Sequence, residues 1–218
     1  MPAIRLRMLA SLANVSAELV AAVAAGLGVA VPKALPLALT KPTKPEVKSS
    51  PRLSLMALPG NGGVRTRKVA ILVADGVVGG SIGILCATLK AAGAVPSVIA
   101  PRLGTVQTVD GAPLDADGSL ENSPSVLFDA LVLADGSGGV MLLGQHDQAM
   151  EFINHQYRHG KTILAIGPSK ALLDKVGIGI KLPSGLADPG ILRADAAGLA
   201  KAAAAFMAAV GKHRHPRG

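Results

Sequence analysis

Over the last two thirds of the chain, apolar residues gather in short unbroken runs separated by stretches of helical spacing. Residues 68–74 (KVAILVA), 95–100 (VPSVIA), 130–134 (ALVLA) and 162–166 (TILAI) are too short for buried helices and rich in Val, Ile and Leu. That is the pattern of strands buried on both faces. Between the first two runs, Ile82, Leu85, Leu89 and Ala92 recur at helical spacing up to Gly93, which predicts a helix over 79–92. Helices are likewise predicted over 145–158, 169–175 and 196–210. Residues 105–109 with Asp110-Gly111 read as a short hairpin. Strands alternating with helices imply right-handed crossovers, a mostly parallel sheet and helices on both of its faces.

The first third has a different rhythm. Within residues 3–28, Leu19, Val20, Val23 and Leu27 follow helical spacing behind Asn14 or Ser16 as N-cap, and Gly26 and Gly28 stop the run. A helix of this length is marginal alone and needs a surface to pack on. Residues 32–66 then carry Pro32, Pro36, Pro42, Pro45, Pro51 and Pro59 among lysines, a spacing that denies both helix and ladder hydrogen bonds. The organisation expected is a helical and Pro-rich extended arm over 1–66, followed by one α/β domain over 67–218.

Composition narrows the function. The chain holds 22 Lys/Arg against 14 Asp/Glu, a net charge of +8. Nine of those bases, against only Glu18 and Glu46, fall in residues 1–67, so the excess belongs to the arm. A loose basic arm supports at most weak, salt-dependent polyanion binding. Three Phe, one Tyr and no Trp leave no aromatic platform for stacking bases, which argues against a nucleic-acid function. Cys86 is the only cysteine, so no intrachain disulfide can form, and a lone thiol suits a reducing compartment. Ser11, Asn14, Ser16, Glu18 and Gly26 make the apolar stretch 9–31 too polar to span a bilayer. No cleavage site of small residues follows a clear apolar core closely, and the expected location is the cytoplasm.

Several motifs approach known chemistry and stop short of it. The loop 76–83 (GVVGGSIG) could cradle a phosphate, but its glycines do not have the dinucleotide spacing, and Arg102 stands after the second strand instead of an acid. Gly160-Lys161-Thr162 resembles the end of a phosphate-binding loop, yet it precedes a strand and has His155 where the first glycine belongs. His155 and His159 are four apart without a third ligand or an adjoining Glu, and His213 and His215 lie in the basic tail. Ser137 follows a strand, but Asp135 replaces the first glycine of a nucleophile elbow. The amides of Gly138 and Gly139 form at most a weak anion-binding concavity. Cys86 falls in the apolar stripe of the first predicted helix, which suits an inert, buried thiol.

The order of the pieces is similar to that of a known family. Residues 7–10 (RMLA), 13–15 (ANV), 18–20 (ELV) and 23–28 (VAAGLG) resemble the segment closing the haem-bearing core of large-subunit haem catalases. Residues 50–55 (SPRLSL) and 67–73 (RKVAILV) resemble the connection into their C-terminal domain. Residues 90–94 (KAAGA), 99–104 (IAPRLG), 109–114 (VDGAPL), 123–136 (SPSVLFDALVLADG) and 159–167 (HGKTILAIG) continue the match through it.

The resemblance implies a flavodoxin-like three-layer sandwich related to the class I glutamine amidotransferase and intracellular-protease superfamily. Active members place a Cys, usually followed by His, at a strained turn after the strand equivalent to 162–166, with an acid after the first strand. The matching positions here read as Gly167, Pro168 and Val78, none of which can do that chemistry. The catalase haem ligand is a Tyr with Arg four residues before it. The only Tyr here, Tyr157, has Ile153 at that offset.

The expectation is therefore a non-catalytic accessory domain with no catalytic, cofactor-binding or metal residues of its own, haem belonging to the parent family. Its role would be stabilising, assembly-related or chaperone-like. Its partner would be a catalase haem core, or a second copy through residues 3–28. The alternative is a small-molecule binder or hydrolase-like enzyme using the strand-end loops, with Asp75, Ser81, Ser137 and Ser169 as candidates.

Overall fold

A computed structural model describes residues 2–39, 47, 50, 62–182 and 185–215. The chain divides into two compact units, Met1–Ser50 and Pro51–Gly218. Prolines 42, 45, 51 and 59, most of the 50–55 motif and the end of the basic tail lie outside the described residues.

The smaller unit is a helix pair, where the sequence suggested one capped helix. Helix α1 (Pro2–Leu12) and helix α2 (Ala17–Leu27) bury Leu9, Ala10, Val20 and Ala24. Of the two N-cap candidates Ser16 serves: it is extended, and its hydroxyl accepts from the Leu19 N–H at 3.2 Å. Asn14 instead donates its side-chain amide to the Leu35 carbonyl at 2.8 Å, and the Leu35 N–H bonds Ala10 at 3.0 Å. The expected stop at Gly28 is present in the left-handed conformation, φ 65°. Much apolar surface stays uncovered: Ile4, Met8 and Leu39 are all exposed by more than half.

The larger unit is a six-stranded parallel sheet. Its strands are β1 (Lys68–Leu72), β2 (Val95–Ala100), β5 (Gly118–Ser119), β6 (Ala130–Leu133), β7 (Thr162–Ile166) and β8 (Ile191–Ala194), in the order β5-β2-β1-β6-β7-β8. Leaving aside the two-residue β5, this is the doubly wound 2-1-3-4-5 order of flavodoxin-like folds. Residues alternate between faces along β1. Val69 and Ile71 join Ile82, Leu85 and Leu89 of α3 (Gly79–Ala91) and Ala203, Phe206 and Val210 of α7 (Leu199–Gly211). Ala70 and Leu72 join Val140 and Leu143 of α4 (Ser137–Leu143), Phe152 and Ile153 of α5 (Asp147–Arg158), and Leu172 and Leu173 of α6 (Lys170–Lys175). Three layers result. With so few aromatics, both half-cores are built from aliphatic side chains, and Phe128 and Phe152 form a tilted pair at 5.9 Å.

Several boundaries differ from the sequence reading. Helix α5 starts at Asp147 rather than at residue 145, after a turn closed by His146 and Leu143. The expected hairpin exists, but its paired legs are β3 (Gly104–Thr105) and β4 (Asp115–Ala116), so Asp110 sits in a wide loop. Strands β5 and β8 and helix α4 carry too little apolar periodicity to be read. Pro96 is tolerated inside β2 because β5 pairs only with Ile99 and Ala100, leaving the edge beside Pro96 without a ladder.

Candidate functional site at the carboxyl ends of the strands

In doubly wound sheets, ligands settle outside the carboxyl ends of the strands where the strand order reverses. Here that point lies between β1 and β6, and backbone fills it. Gly76 has φ 90°, and a Cβ on it would lie 2.9 Å from the Gly138 Cα. Gly136 has φ 121°, and its Cβ would fall 2.5 Å from the Gly76 carbonyl oxygen. Only glycine permits these dihedrals together with such close approach. The Val78 N–H donates to the Asp135 carbonyl at 3.0 Å, tying the two loops together.

In loop 76–83, which the sequence already sets apart from a dinucleotide fingerprint, a carboxylate from the same chain takes the place an anion would have. Asp110 accepts from the Gly79 N–H at 3.0 Å and the Gly80 N–H at 2.7 Å, occupying the amides that would grip an anion. These backbone bonds hold the Asp110 carboxyl below its ordinary range, the bond from Gly80 contributing most. Gly79 is required there as well, because a Cβ would stand 2.8 Å from the Thr108 methyl.

The elbow position is filled in a similar way. Gly167 follows β7 with φ 58°, and a Cβ on it would lie 2.5 Å from Oδ1 of Asp135. That oxygen also accepts from the Gly136 N–H at 2.7 Å. A carboxylate therefore stands where a side chain from the elbow would project. Val78 is the N-terminal flank of α3, with no side-chain cap bond.

The four candidate residues are not brought together. Ser169 is fully buried. Its hydroxyl accepts from the Ile166 N–H at 2.8 Å and has the Leu133 and Ile166 carbonyls at 2.9 Å, so it locks the turn after β7. Ser81 donates back to the Val78 carbonyl at 2.9 Å, and Ser137 is exposed at the start of α4. Asp75 alone faces an open space. This cleft of about 330 Å³ lies over the ends of β1 and β2, lined by Ala74, Asp75, Ala100, Pro101, Arg102, Thr105, Val106, Leu142 and His146. Asp75 Oδ1 accepts from the Gln107 N–H at 2.8 Å, and Oδ2 lies 3.6 Å from the Arg102 guanidinium. The sequence marks Arg102 only as a missing acid and carries no signal for Leu142, in the last turn of α4, or His146, the residue just before α5, both of which reach the cleft from far along the chain.

The remaining candidates have structural partners. Cys86 is half-buried against the α3 core face, and burial pushes its thiol up, away from reactivity. His155 pairs with Glu151 on its own helix at 3.6 Å, while His159 is the exposed helix end. Among the described residues no group of three or more His, Cys, Asp or Glu could hold a metal. Lys161 points inward at the opposite end of the sheet. Its ammonium donates to the carbonyls of Phe128 at 2.6 Å and Ser125 at 3.0 Å, and burial lowers it to about 8. His215, far from free in a tail, is buried against Thr162 Oγ1 at 3.0 Å. Tyr157 is partly buried beside the α5 core, and Ile153 four residues before it is fully buried.

Comparison with known proteins decides the family. A model of the C-terminal domain found in long catalases matches residues 65–217. The chain belongs to this family. Catalase HPII of Pseudomonas putida is 36% identical over 203 residues, covering 93% of this chain and 26% of that protein. Catalase C of Rhizobium meliloti is 34% identical over 214 residues, 98% of this chain and 29% of that protein. This catalase C-terminal domain and the residues before it thus span about a quarter of the length of the curated relatives they match. Among solved structures, the DJ-1/ThiJ/PfpI-like and ferritin-like two-domain protein of Anabaena variabilis has a TM-score of 0.61 at 21% identity, covering 67% of this chain and 48% of that one. Drosophila melanogaster DJ-1beta gives 0.57 at 21% identity, over 68% and 95%. These likenesses establish the flavodoxin-like fold expected from the sequence.

Proposed function

We propose that this chain is a non-catalytic accessory domain of a long catalase, serving hydrogen peroxide detoxification by stabilising or assembling the haem-bearing part. In this reading residues 1–66 are the arm and 67–218 the domain. The observation that carries it is the elbow: Gly167 has no side chain, and the Asp135 carboxylate occupies the space before it. A hydrolase of this fold needs a nucleophile there and a proton acceptor beside it. Peroxide chemistry would rest on haem held elsewhere in the parent protein, since the residues around Tyr157 do not fit it.

The exposed apolar side chains of α1 and α2 support a partner surface, and we assign them to the catalase haem core. No helix among the described residues is long and apolar enough to cross a membrane, and the single thiol suits the cytoplasm. Weak polyanion binding by the basic arm should vanish when residues 1–66 are deleted.

The test uses the Pseudomonas putida catalase HPII truncated of its matching 203 residues. Adding the full chain in trans should slow thermal inactivation of the truncated enzyme, whereas the purified chain alone should show neither peroxide turnover nor haem absorbance. Turnover by the chain alone, or no protection at saturating chain, would refute the reading.

A further inference from the structure

We propose that the cleft over β1 and β2 is a binding site for a small zwitterion, an α-amino acid with a compact aliphatic side chain. This goes beyond the accessory role and does not depend on it. Three other places at the strand ends are sealed by the chain itself: the reversal point by glycine backbone, the α3 amides by Asp110, the elbow by Asp135. The cleft is not sealed, and its volume of about 330 Å³ lies in the range of small-molecule sites.

Its floor is apolar. Ala74, Ala100 and Val106 are at most 5% exposed. Its rim carries one charge of each sign. Asp75 is aimed by the Gln107 amide through Oδ1, while Oδ2 makes only a loose 3.6 Å contact with Arg102. A charge-assisted bond closes to roughly 2.7–2.9 Å, so neither partner is fully used. The Arg102 side chain is 84% exposed, and His146, which also lines the cleft, is exposed.

Adjacent opposite charges select against simple ions. A lone carboxylate drawn to Arg102 meets Asp75, and a lone amine drawn to Asp75 meets Arg102. An α-amino acid carries both groups on one carbon, so it satisfies both residues at once while its side chain covers the apolar floor. The cleft is too small for a dinucleotide.

The experiment is thermal shift and titration calorimetry on the full chain with L-valine, L-leucine, isovalerate and isobutylamine. The last two are valine without its ammonium and without its carboxylate. Saturable stabilisation by valine or leucine is expected, with isovalerate and isobutylamine at least about tenfold weaker. Asp75→Asn should weaken valine at least about tenfold while narrowing its advantage over isovalerate. Arg102→Gln should weaken both acids. Both side chains lie on the surface, and an unchanged urea midpoint will confirm that the variants fold. The proposal is overturned if neither amino acid saturates by roughly 10 mM, if isovalerate equals valine, or if valine binding survives both substitutions.

Discussion

The carboxyl ends of β1 and β6 and those of β1 and β2 are neighbours on one sheet, yet they have opposite fates. At β1–β6 the loops approach so closely that Gly76, Gly136 and Gly138 meet through backbone, and the Asp110 and Asp135 carboxylates are taken by amides of the same chain. At β1–β2 the chain turns away after Pro101, leaving Asp75 and Arg102 loosely paired over an apolar floor. A fold that usually opens a crevice at the reversal point has closed it here and left space one strand away. The lesson is that fold locates where a site can be, while local close packing decides whether it is there.

The strongest way to break this contrast is Gly136→Ala. The φ of 121° and a Cβ 2.5 Å from the Gly76 carbonyl give no room to relax, so urea denaturation should show a loss of about 3 kcal/mol or more. If the variant retains its midpoint, the loops are looser than argued and the reversal point is not sealed.

Next comes the elbow. Gly167→Cys should cost about 2 kcal/mol from its left-handed backbone and the encounter with Asp135. In a double-mutant cycle, Asp135→Ala should recover part of that loss, with a coupling of about 1 kcal/mol. Additive effects would mean that Asp135 does not fill the space before Gly167.

A smaller effect is expected at the α3 amides. Asp110→Asn should lower the urea midpoint less than either glycine substitution, because a neutral oxygen still accepts from one amide. The native carboxyl is held below its unfolded value, so its contribution is present above that value and fades as pH falls through the folded pKa. Acid titrations of stability for the two proteins should therefore converge at low pH.

The gentlest test lies at the far end of the sheet. Lys161 is lowered to about 8 from 10.5, so between those values the folded state binds fewer protons here than the unfolded chain does. Between those values the stability contributed by this group rises with pH. The difference in urea midpoint between the native chain and Lys161→Met should thus grow in favour of the native chain from pH 8 to pH 10. A flat difference would show that the ammonium is less desolvated than its carbonyl contacts imply.

Much of the architecture was legible before any coordinates. Four apolar runs became four central strands because a strand buried on both faces admits almost nothing but aliphatic side chains. Strand β5 was invisible because two residues, Gly118 and Ser119, carry no pattern. Strand β8 was hidden because Arg193 and half-covered Leu192 and Ala194 break the run on the sheet's edge. Ser81, Ser137 and Ser169 looked like site residues because hydroxyls near glycines are cheap to notice. Ser169 proved to be fully satisfied inside the core.

The sequence alone therefore determined the four central strands and their alternation with helices, since these follow from runs and periods that each segment carries within itself, while the order of its motifs carried the family resemblance. Only the tertiary structure decided which strand ends stay open. That outcome depends on tenths of an ångström between loops about sixty residues apart, such as Gly76 and Gly136, and on which neighbour each carboxylate meets. No local pattern encodes the gap between two backbones.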